Sequence, residues 1–255
     1  MQYLLFTLAA PLASFGAVAV GERRATWDRP SKSQILGLVA GALGIERSDD
    51  KAQQALASSL GFAVRIDNAG QLATDYHTTQ VPPASRNRHF VTRADELGVP
   101  KHELKTILSR REFRTGSLYT IALWLKPDAT ISLESIKQAL ESPKFQPFAG
   151  RKAFPLMLPM QPVIVDVDSL KAAFAARDAI EREQQPAIAR LKADIGLEHR
   201  TDRPIFADVD AVLGPADRWE RLEERRDMPE SRSKWRFGLR PEALLHQPST
   251  DGEGP

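Results

Sequence analysis

Four clusters of basic residues are the part of this chain best suited to binding chemistry. They are Arg23/Arg24/Arg29/Lys32, Arg86/Arg88/Arg93, Lys101/Lys105/Arg110/Arg111/Arg114 and Arg151/Lys152, with Phe15, Trp27, Phe90, Phe113, Phe145 and Phe148 nearby in the sequence. Cations neutralise phosphates and flat rings stack on unpaired bases, so this combination is typical of single-stranded RNA binding. For any single residue, a solvated charge or a core ring is the alternative interpretation.

The stretch DYHTT, residues 75–79, is the best candidate for catalysis. Tyr76 and His77 are groups that act as general acid or base, and a neighbouring Lys or Arg would stabilise a phosphorane. A metal-independent ribonuclease needs only such a set. The alternative is a histidine in a strand that forms a local hydrogen bond, and this interpretation is favoured here.

Several other kinds of site are excluded or disfavoured. The chain has no cysteine, which excludes disulfides and thiolate metal sites. Its five histidines, at positions 77, 89, 102, 199 and 246, have no metal-ligand spacing. No glycine signature of nucleotide-binding enzymes is present. We therefore expect neither a metal nor a cofactor.

The charge is distributed unevenly along the 255 residues. Residues 1–157 carry 20 basic and 14 acidic side chains, a net charge of +6, and residues 158–255 carry 15 and 19, a net charge of −4. This asymmetry suggests that a polyanion binds the first part, although uneven solvation of two faces is the alternative.

The apolar N-terminus is not expected to be a signal peptide or a membrane anchor. No lysine or arginine precedes the apolar run, and Pro11 interrupts it. No later uncharged stretch approaches the ~20 apolar residues of a membrane helix. We expect a cytoplasmic protein with no membrane partner, and the lack of cysteine is consistent with a reducing compartment.

The order of predicted elements indicates an α+β fold. We expect strands at 3–10, 61–70, 72–81, 117–125 and 161–168, with helices from about residue 31, after Ser48 or Asp49, and after Ser132. This βαββαβ order is typical of a ferredoxin-like or RNA-recognition sheet. Residues 82–114, rich in basic side chains, form a long excursion from the sheet, which is usually functional or mobile.

The last third is less regular. We expect helix over 169–195 with a break at Pro186, a strand within 203–213, a charged segment, a strand at 235–240 and a disordered tail at 246–255. The predicted units are 1–165, with the main core, and 166–245, a smaller α/β part.

The helix that follows residue 31 contains three glycines and begins with polar residues. Gly37, Gly41 and Gly44 lie near one face, so we expect close packing there, with Gly44 at the C-terminal end. Ser31 or Ser33 would cap the helix. Free N–H groups, the helix dipole and Lys32 would make its start an anion site, predicted to bind an RNA phosphate.

Six stretches together resemble the CasD family, which holds the 5′ end of the CRISPR RNA in the type I-E surveillance complex, Cascade. They are LAAPLASFG, RPSKSQILGLVAGALGI, FAVRID, DYHTTQV, YTIALWL and KFQPFAGRKAFPLMLP, and they cover most of residues 3–160. Beyond Leu170 the similarity is limited to RPIFADVD and RRDMPESRSKWRFGLRPE, and the helical stretch departs from it.

The resemblance implies a ferredoxin-like core of the RAMP superfamily, a thumb-like hairpin at 76–116 and a degenerate C-terminal part. It implies three partners, namely the 5′ handle of crRNA with the first guide nucleotides, the backbone subunit and the large PAM-reading subunit. Target DNA would be reached only through the complex. The family subunit is non-catalytic, while relatives in another subtype cut RNA, so repeat-specific cleavage by Tyr76 and His77 stays as the alternative.

Combining the resemblance with the basic clusters gives a set of predicted RNA-binding residues. They are Arg23, Arg24, Trp27, Arg29, Ser31, Lys32, Ser33, His77, Arg86, Arg88, Arg110, Arg111, Arg114, Arg151 and Lys152. A scaffold whose basic surface binds acidic proteins rather than RNA is the third hypothesis.

Overall fold

A computed structural model describes residues 1–16, 19, 21–84, 88–194 and 203–245. Its described part is a mixed α/β structure with six α-helices and one large sheet. The strands are β1 (Gln2–Ala13), β2 (Arg23–Arg24), β3 (Leu60–Asn68), β4 (Gln71–Val81), β5 (Lys105–Leu125), β6 (Val163–Asp166), β7 (Ile205–Asp208), β8 (Arg221–Ser231) and β9 (Arg236–Leu245). The helices are α1 (Lys32–Leu43), α2 (Asp50–Ser59), α3 (Arg93–Leu97), α4 (Leu133–Glu141), α5 (Leu170–Gln184) and α6 (Pro186–Asp194), with a 3₁₀ turn at Lys101–Glu103.

The main path of the sheet has the strand order β6-β1-β5-β3-β7-β9-β8. All neighbours on this path are antiparallel. The first four strands come from the predicted βαββαβ segment, with β1 and β5 in the centre. The order and the predicted helices between the strands are consistent with an RRM-like fold, as the sequence suggested.

Alternating residues of the central strands bury both faces of the sheet. On one face Leu4, Phe6 and Leu8 pack with side chains of α1, α2 and α4. On the other face Tyr3 and Leu5 pack against α5. The hydrophobic runs that predicted buried strands therefore correspond to strands covered on both sides.

The C-terminal strands continue the same sheet across the predicted boundary at residue 165. β7 pairs with β3, β9 pairs with β7, and β8 forms the far edge. The predicted helix break at Pro186 is confirmed, since α5 ends at Gln184 and α6 begins at Pro186. The predicted tail at 246–255 lies outside the described residues.

The charged segment before the last strand is itself a strand, which the sequence did not predict. β8 reads RLEERRDMPES and has no apolar alternation. Its buried face instead carries Arg225 and Asp227, which form ion pairs with Glu242 and Arg240 of β9. A strand whose buried side is ionic has the sequence pattern of a solvated loop. For this reason the sequence predicted only a charged segment here and not a strand.

The ends of α1 match their predictions, but the packing of its glycines is only partly as expected. Ser31 caps the helix, and Gly44 ends it with a φ of 79°. A Cβ at Gly37 would overlap the guanidinium of Arg232, and one at Gly44 would overlap the Lys144 side chain. A Cβ at Gly41, however, would meet no atom within 4 Å. The close packing predicted for Gly41 is therefore wrong.

Candidate nucleic-acid interface

A long hairpin carries most of the predicted binding residues. Strand β5 has 21 residues: its second half lies in the core between β1 and β3, and its first half pairs with β4 over Lys105–Thr115. The residues of β4 are almost all exposed and pair only with β5. The sequence predicted the strand over 117–125 but not its extension back to Lys105.

The register of the hairpin divides its side chains between two faces. Paired residues share a face, and neighbours along a strand lie on opposite faces. The first, here the Arg110 face, has Tyr76 opposite Arg110, with Arg23 of β2 beside them. Arg23 forms a 2.6 Å ion pair with Glu112 on this face, which neutralises part of its charge.

The other face, here the Arg111 face, carries a second set of basic side chains. Its register places Asp75 opposite Arg111 and His77 opposite Ser109, while Arg24 of β2 pairs with Arg111. The His77 imidazole lies 3.6 Å from the Asp75 carboxylate. Arg24 and Arg111 are both exposed. Within the described residues neither forms an ion pair: Arg24 donates to backbone carbonyls of its own turn and Arg111 to the Ser109 hydroxyl, so neither positive charge is neutralised by a described carboxylate.

A glycine turn places Arg151 at the base of this face. Gly150 has a φ of 85°, and a Cβ there would overlap the carbonyl oxygen of Ser14 at the end of β1. The Ser14 amide donates to Ala149, and Arg151 donates to the Glu112 carbonyl at 3.1 Å. Burial lowers the pKa of the Arg151 guanidinium, Arg111 lowers it further, and Asp75 opposes them. Arg151 and Arg111 therefore form one cationic area.

Tyr76 and His77 are not brought together for catalysis. As neighbours in a strand they lie on opposite faces of the hairpin, Tyr76 beside Arg110 and His77 beside Ser109. A general acid and a general base must both reach one scissile bond, and these two side chains point away from each other. The described part of the chain also holds no group of His, Asp and Glu residues suited to a metal ion.

The start of α1 is buried and already holds a carboxylate. Lys32 is 1% exposed, and its ammonium lies 2.6 Å from Asp208. Its backbone N–H donates to Asp227 at 2.9 Å, so Asp227 takes the position that an external anion would occupy. Burial lowers the pKa of Lys32, and Asp208 opposes that shift. The side chain of Ser31 accepts from Gln34, and the Ser33 hydroxyl lies 3.0 Å from that of Ser31.

Arg29 belongs to the same buried ionic cluster. It lies 2.5 Å from Glu242 and over the ring of Phe206. The full cluster joins the start of α1 to the C-terminal strands and contains Arg29, Lys32, Asp208, Arg225, Asp227, Arg240 and Glu242. The sequence predicted a phosphate-binding role for Arg29, Ser31, Lys32 and Ser33, but their donors point inward to this cluster and to the helix cap. The observed contacts favour a structural role.

The other predicted residues are spread around the hairpin. Arg114 donates to the backbone carbonyls of Trp27 and Ala69. Trp27 is partly exposed beside Arg225, and Lys152 is exposed next to Arg151. Arg88 forms a 2.5 Å ion pair with Glu103 in the segment between β4 and β5. Arg86 lies outside the described residues.

Sequence reasoning missed the acidic residues that organise this region. Glu112 fixes Arg23, and Asp208, Asp227 and Glu242 neutralise the start of α1. For Asp208, Asp227 and Glu242 the available signal was the net negative charge of residues 158–255, which cannot identify their partners, and Glu112 lies in the basic first part without such a signal. The acidic second part of the chain therefore partly neutralises the basic first part from within the molecule.

Comparison with known proteins identifies the family. Residues 3–241 match the model of the CRISPR-associated protein family Cas_Cas5. The chain belongs to this family. It is also 36% identical over 161 residues to the CRISPR system Cascade subunit CasD of Escherichia coli K12. The aligned segment covers 62% of this chain and 69% of that protein. The resemblance seen in the sequence is thus confirmed.

Solved structures support the fold. One described as a CRISPR RNA-guided surveillance complex matches 99% of this chain and 94% of its own, with a TM-score of 0.60 and 22% identity. Another, described as a crystal structure of a Cas protein, matches 97% and 95%, with a TM-score of 0.58 and 21% identity. Among the described helices, none is long and apolar enough to cross a membrane.

Proposed function

We propose that this Cas5-family chain is a non-catalytic, RNA-binding subunit of a type I-E Cascade complex in the cytoplasm. It grips the 5′ handle of crRNA and caps the backbone filament beside the large PAM-reading subunit. The identity with the Cascade subunit of Escherichia coli supports the complex. The observation that carries the RNA-binding part is the Arg111 face, where Arg111 lies between Arg24 of β2 and Arg151 of the glycine turn.

In this proposal β6, β1, β3 and the inner half of β5 form a ferredoxin-like core, and the hairpin at 76–116 is a thumb. The exposed Arg24 and Arg111 contact phosphates, and His77 lies on the same face for a base or a sugar hydroxyl. Arg110 and Tyr76 occupy the other face, where they contact the next guide nucleotides or the backbone subunit. The separation of Tyr76 from His77 supports a binding role rather than cleavage.

Binding of repeat-derived RNA to Arg24→Gln/Arg111→Gln would test this proposal. We expect a weaker complex and a shallower dependence on salt, by about 0.7 in the log–log slope for each arginine that contacts a phosphate. Arg182→Gln/Arg218→Gln is the matched control, because it also removes two exposed cations, but outside the hairpin. Equal affinities and slopes for both double variants would overturn the proposed site.

Incubation of the same RNA with the unmodified chain in EDTA tests the non-catalytic assignment. The RNA is expected to stay intact. Cleavage that disappears in His77→Ala would instead establish the ribonuclease.

A further inference from the structure

The tip of the β8–β9 hairpin presents an exposed tryptophan that the proposed function does not use. Trp235 is 61% exposed and lies beside Phe237, with ring centroids 6.1 Å apart. The guanidinium of Arg47 lies 3.7 Å from the Trp235 ring centroid. The tryptophan packs into none of the apolar core clusters of the described chain.

The backbone at this position would suit glycine better. Trp235 has a φ of 52°, and a bulky residue with positive φ is an outlier that costs stability. Strained residues persist where the surrounding structure determines them, and they cluster at functional sites. A tryptophan that is exposed and strained is difficult to explain by its contribution to folding.

The tip is nevertheless held firmly. The carboxylate of Asp50, the first residue of α2, accepts four hydrogen bonds, from the side chain of Ser231, the amide of Arg232, and the amide and hydroxyl of Ser233. These bonds lower the pKa of Asp50 to about 2. Arg232 donates to the Ser33 carbonyl at 2.7 Å and crosses α1 where Gly37 has no side chain. The tryptophan is therefore presented in a fixed position.

The surroundings of the ring are cationic. Arg47, Arg232, Lys234 and Arg236 lie at the tip, and of these only Arg236 has a described carboxylate within ion-pair distance, Glu230 at 3.8 Å. Burial lowers the pKa of the Arg232 guanidinium, and the nearby Arg47 lowers it further. A flat ring backed by a guanidinium and surrounded by cations, most of them without a described carboxylate partner, matches the requirements of an unpaired base and its phosphates.

We propose that Trp235, with Arg47 behind it and Lys234 and Arg236 beside it, is a stacking site for an unpaired nucleobase of a single-stranded nucleic acid. The site is built from α1, α2 and the β8–β9 hairpin, and shares no residue with the Arg111 face. It does not depend on the RNA-binding role assigned to that face. Guide RNA and displaced DNA offer the same chemistry, so the test compares both sugars.

Binding of labelled oligouridylate and oligodeoxyuridylate, which differ only in the sugar, by the full chain tests the site. The experiment uses the Arg24→Gln/Arg111→Gln background, so that the hairpin contributes little. Trp235→Gly removes the ring and relieves the strained φ. We expect its affinity to fall by about 5- to 150-fold, as for loss of one stacked base, with no loss of thermal stability. Trp235→Phe should retain most of the affinity, and Leu239→Ala, another exposed apolar residue of the hairpin, all of it.

The sugar comparison identifies the nucleic acid: tighter oligouridylate binding indicates RNA, and tighter oligodeoxyuridylate binding indicates DNA. Unchanged affinity of Trp235→Gly for both oligonucleotides would overturn the proposal. It would also fail if Trp235→Gly lost only its ability to assemble with the other Cascade subunits, because the tryptophan would then bind protein. If the Arg111 face proved not to bind RNA, the result for Trp235 would still stand, because the two sets of variants change different residues.

Discussion

At the residue scale, burial separates two kinds of cation that are alike in the sequence. Lys32 and Arg29 were predicted as phosphate ligands together with Arg24, yet Lys32 and Arg29 are buried in ion pairs and Arg24 is exposed. A basic residue at a predicted helix start indicates an anion, but the anion here is the chain's own Asp227. Sequence reasoning could not identify it because Asp227 lies almost 200 residues away.

Replacement of Lys32 distinguishes the two roles. Lys32→Met breaks a buried ion pair and is expected to lower the free energy of unfolding by about 3 kcal/mol. Its affinity for repeat RNA should be unchanged at a temperature where the variant is folded. Denaturant unfolding and RNA titration check both, with the exposed Lys51→Met of α2 as control. Reduced affinity with normal stability would show instead that Lys32 contacts phosphate.

Two glycines give opposite expectations for the same substitution. Gly150→Ala introduces a Cβ that overlaps the Ser14 carbonyl at a φ of 85°, so it should lower the melting temperature and weaken RNA binding through Arg151. Gly41→Ala adds a Cβ in the interior of helix α1 that would meet no atom within 4 Å. This substitution should stabilise the protein by about 0.5–1 kcal/mol. Thermal unfolding of both variants checks this pair, and equal shifts in one direction would contradict it.

At the element scale, the sequence predicted the elements whose buried side is apolar and also the exposed strand β4. The runs in β1 and the second half of β5 are hydrophobic, and the caps at Ser31 and Asp49 are local signals. The sequence did not predict β8, whose inner face is ionic. It also did not predict the extension of β5, whose residues pair with β4 and are not part of the apolar core. The Arg111 face was predicted only as a set of residues, because the register that groups them is a long-range property.

The C-terminal strands are expected to be necessary for the first 165 residues to fold. A chain ending at residue 165 would expose the pairing edge of β3 and would lose the carboxylates that pair with Arg29 and Lys32. We expect it to be aggregated or to lack cooperative unfolding by circular dichroism. A chain ending at residue 245, which retains all described strands, is the control. Cooperative unfolding of the 165-residue chain would support the predicted division into two units.

At the scale of the whole molecule, the buried ionic cluster makes stability depend on pH. Burial alone would raise the pKa of Glu242, but Arg29, Arg225 and Arg240 hold it below its ordinary value of 4.5. A carboxyl with a lowered folded pKa contributes stability above the unfolded pKa and loses it as the pH falls through the folded pKa. The cluster should therefore weaken on acidification below about pH 4.5.

Glu242→Gln tests this dependence. The variant should be less stable at pH 7, and its free energy of unfolding should fall less steeply below pH 4.5 than that of the unmodified chain. Urea unfolding at a series of pH values measures both. Glu134→Gln, which changes an exposed carboxylate of α4, should reproduce the unmodified profile. Parallel pH profiles for Glu242→Gln and the unmodified chain would contradict the assignment.

The long strand β5 has a mechanical consequence. Its outer half belongs to the hairpin and its inner half is a central strand of the core, and β1 still pairs with it as far as Arg114. No loop interrupts β5 between the hairpin and the core. Binding that restrains the hairpin therefore also restrains the backbone in the middle of the sheet. Amide hydrogen exchange at Leu118 and Ile121 should accordingly slow when RNA binds the hairpin, so that exchange in the core measures binding at the hairpin.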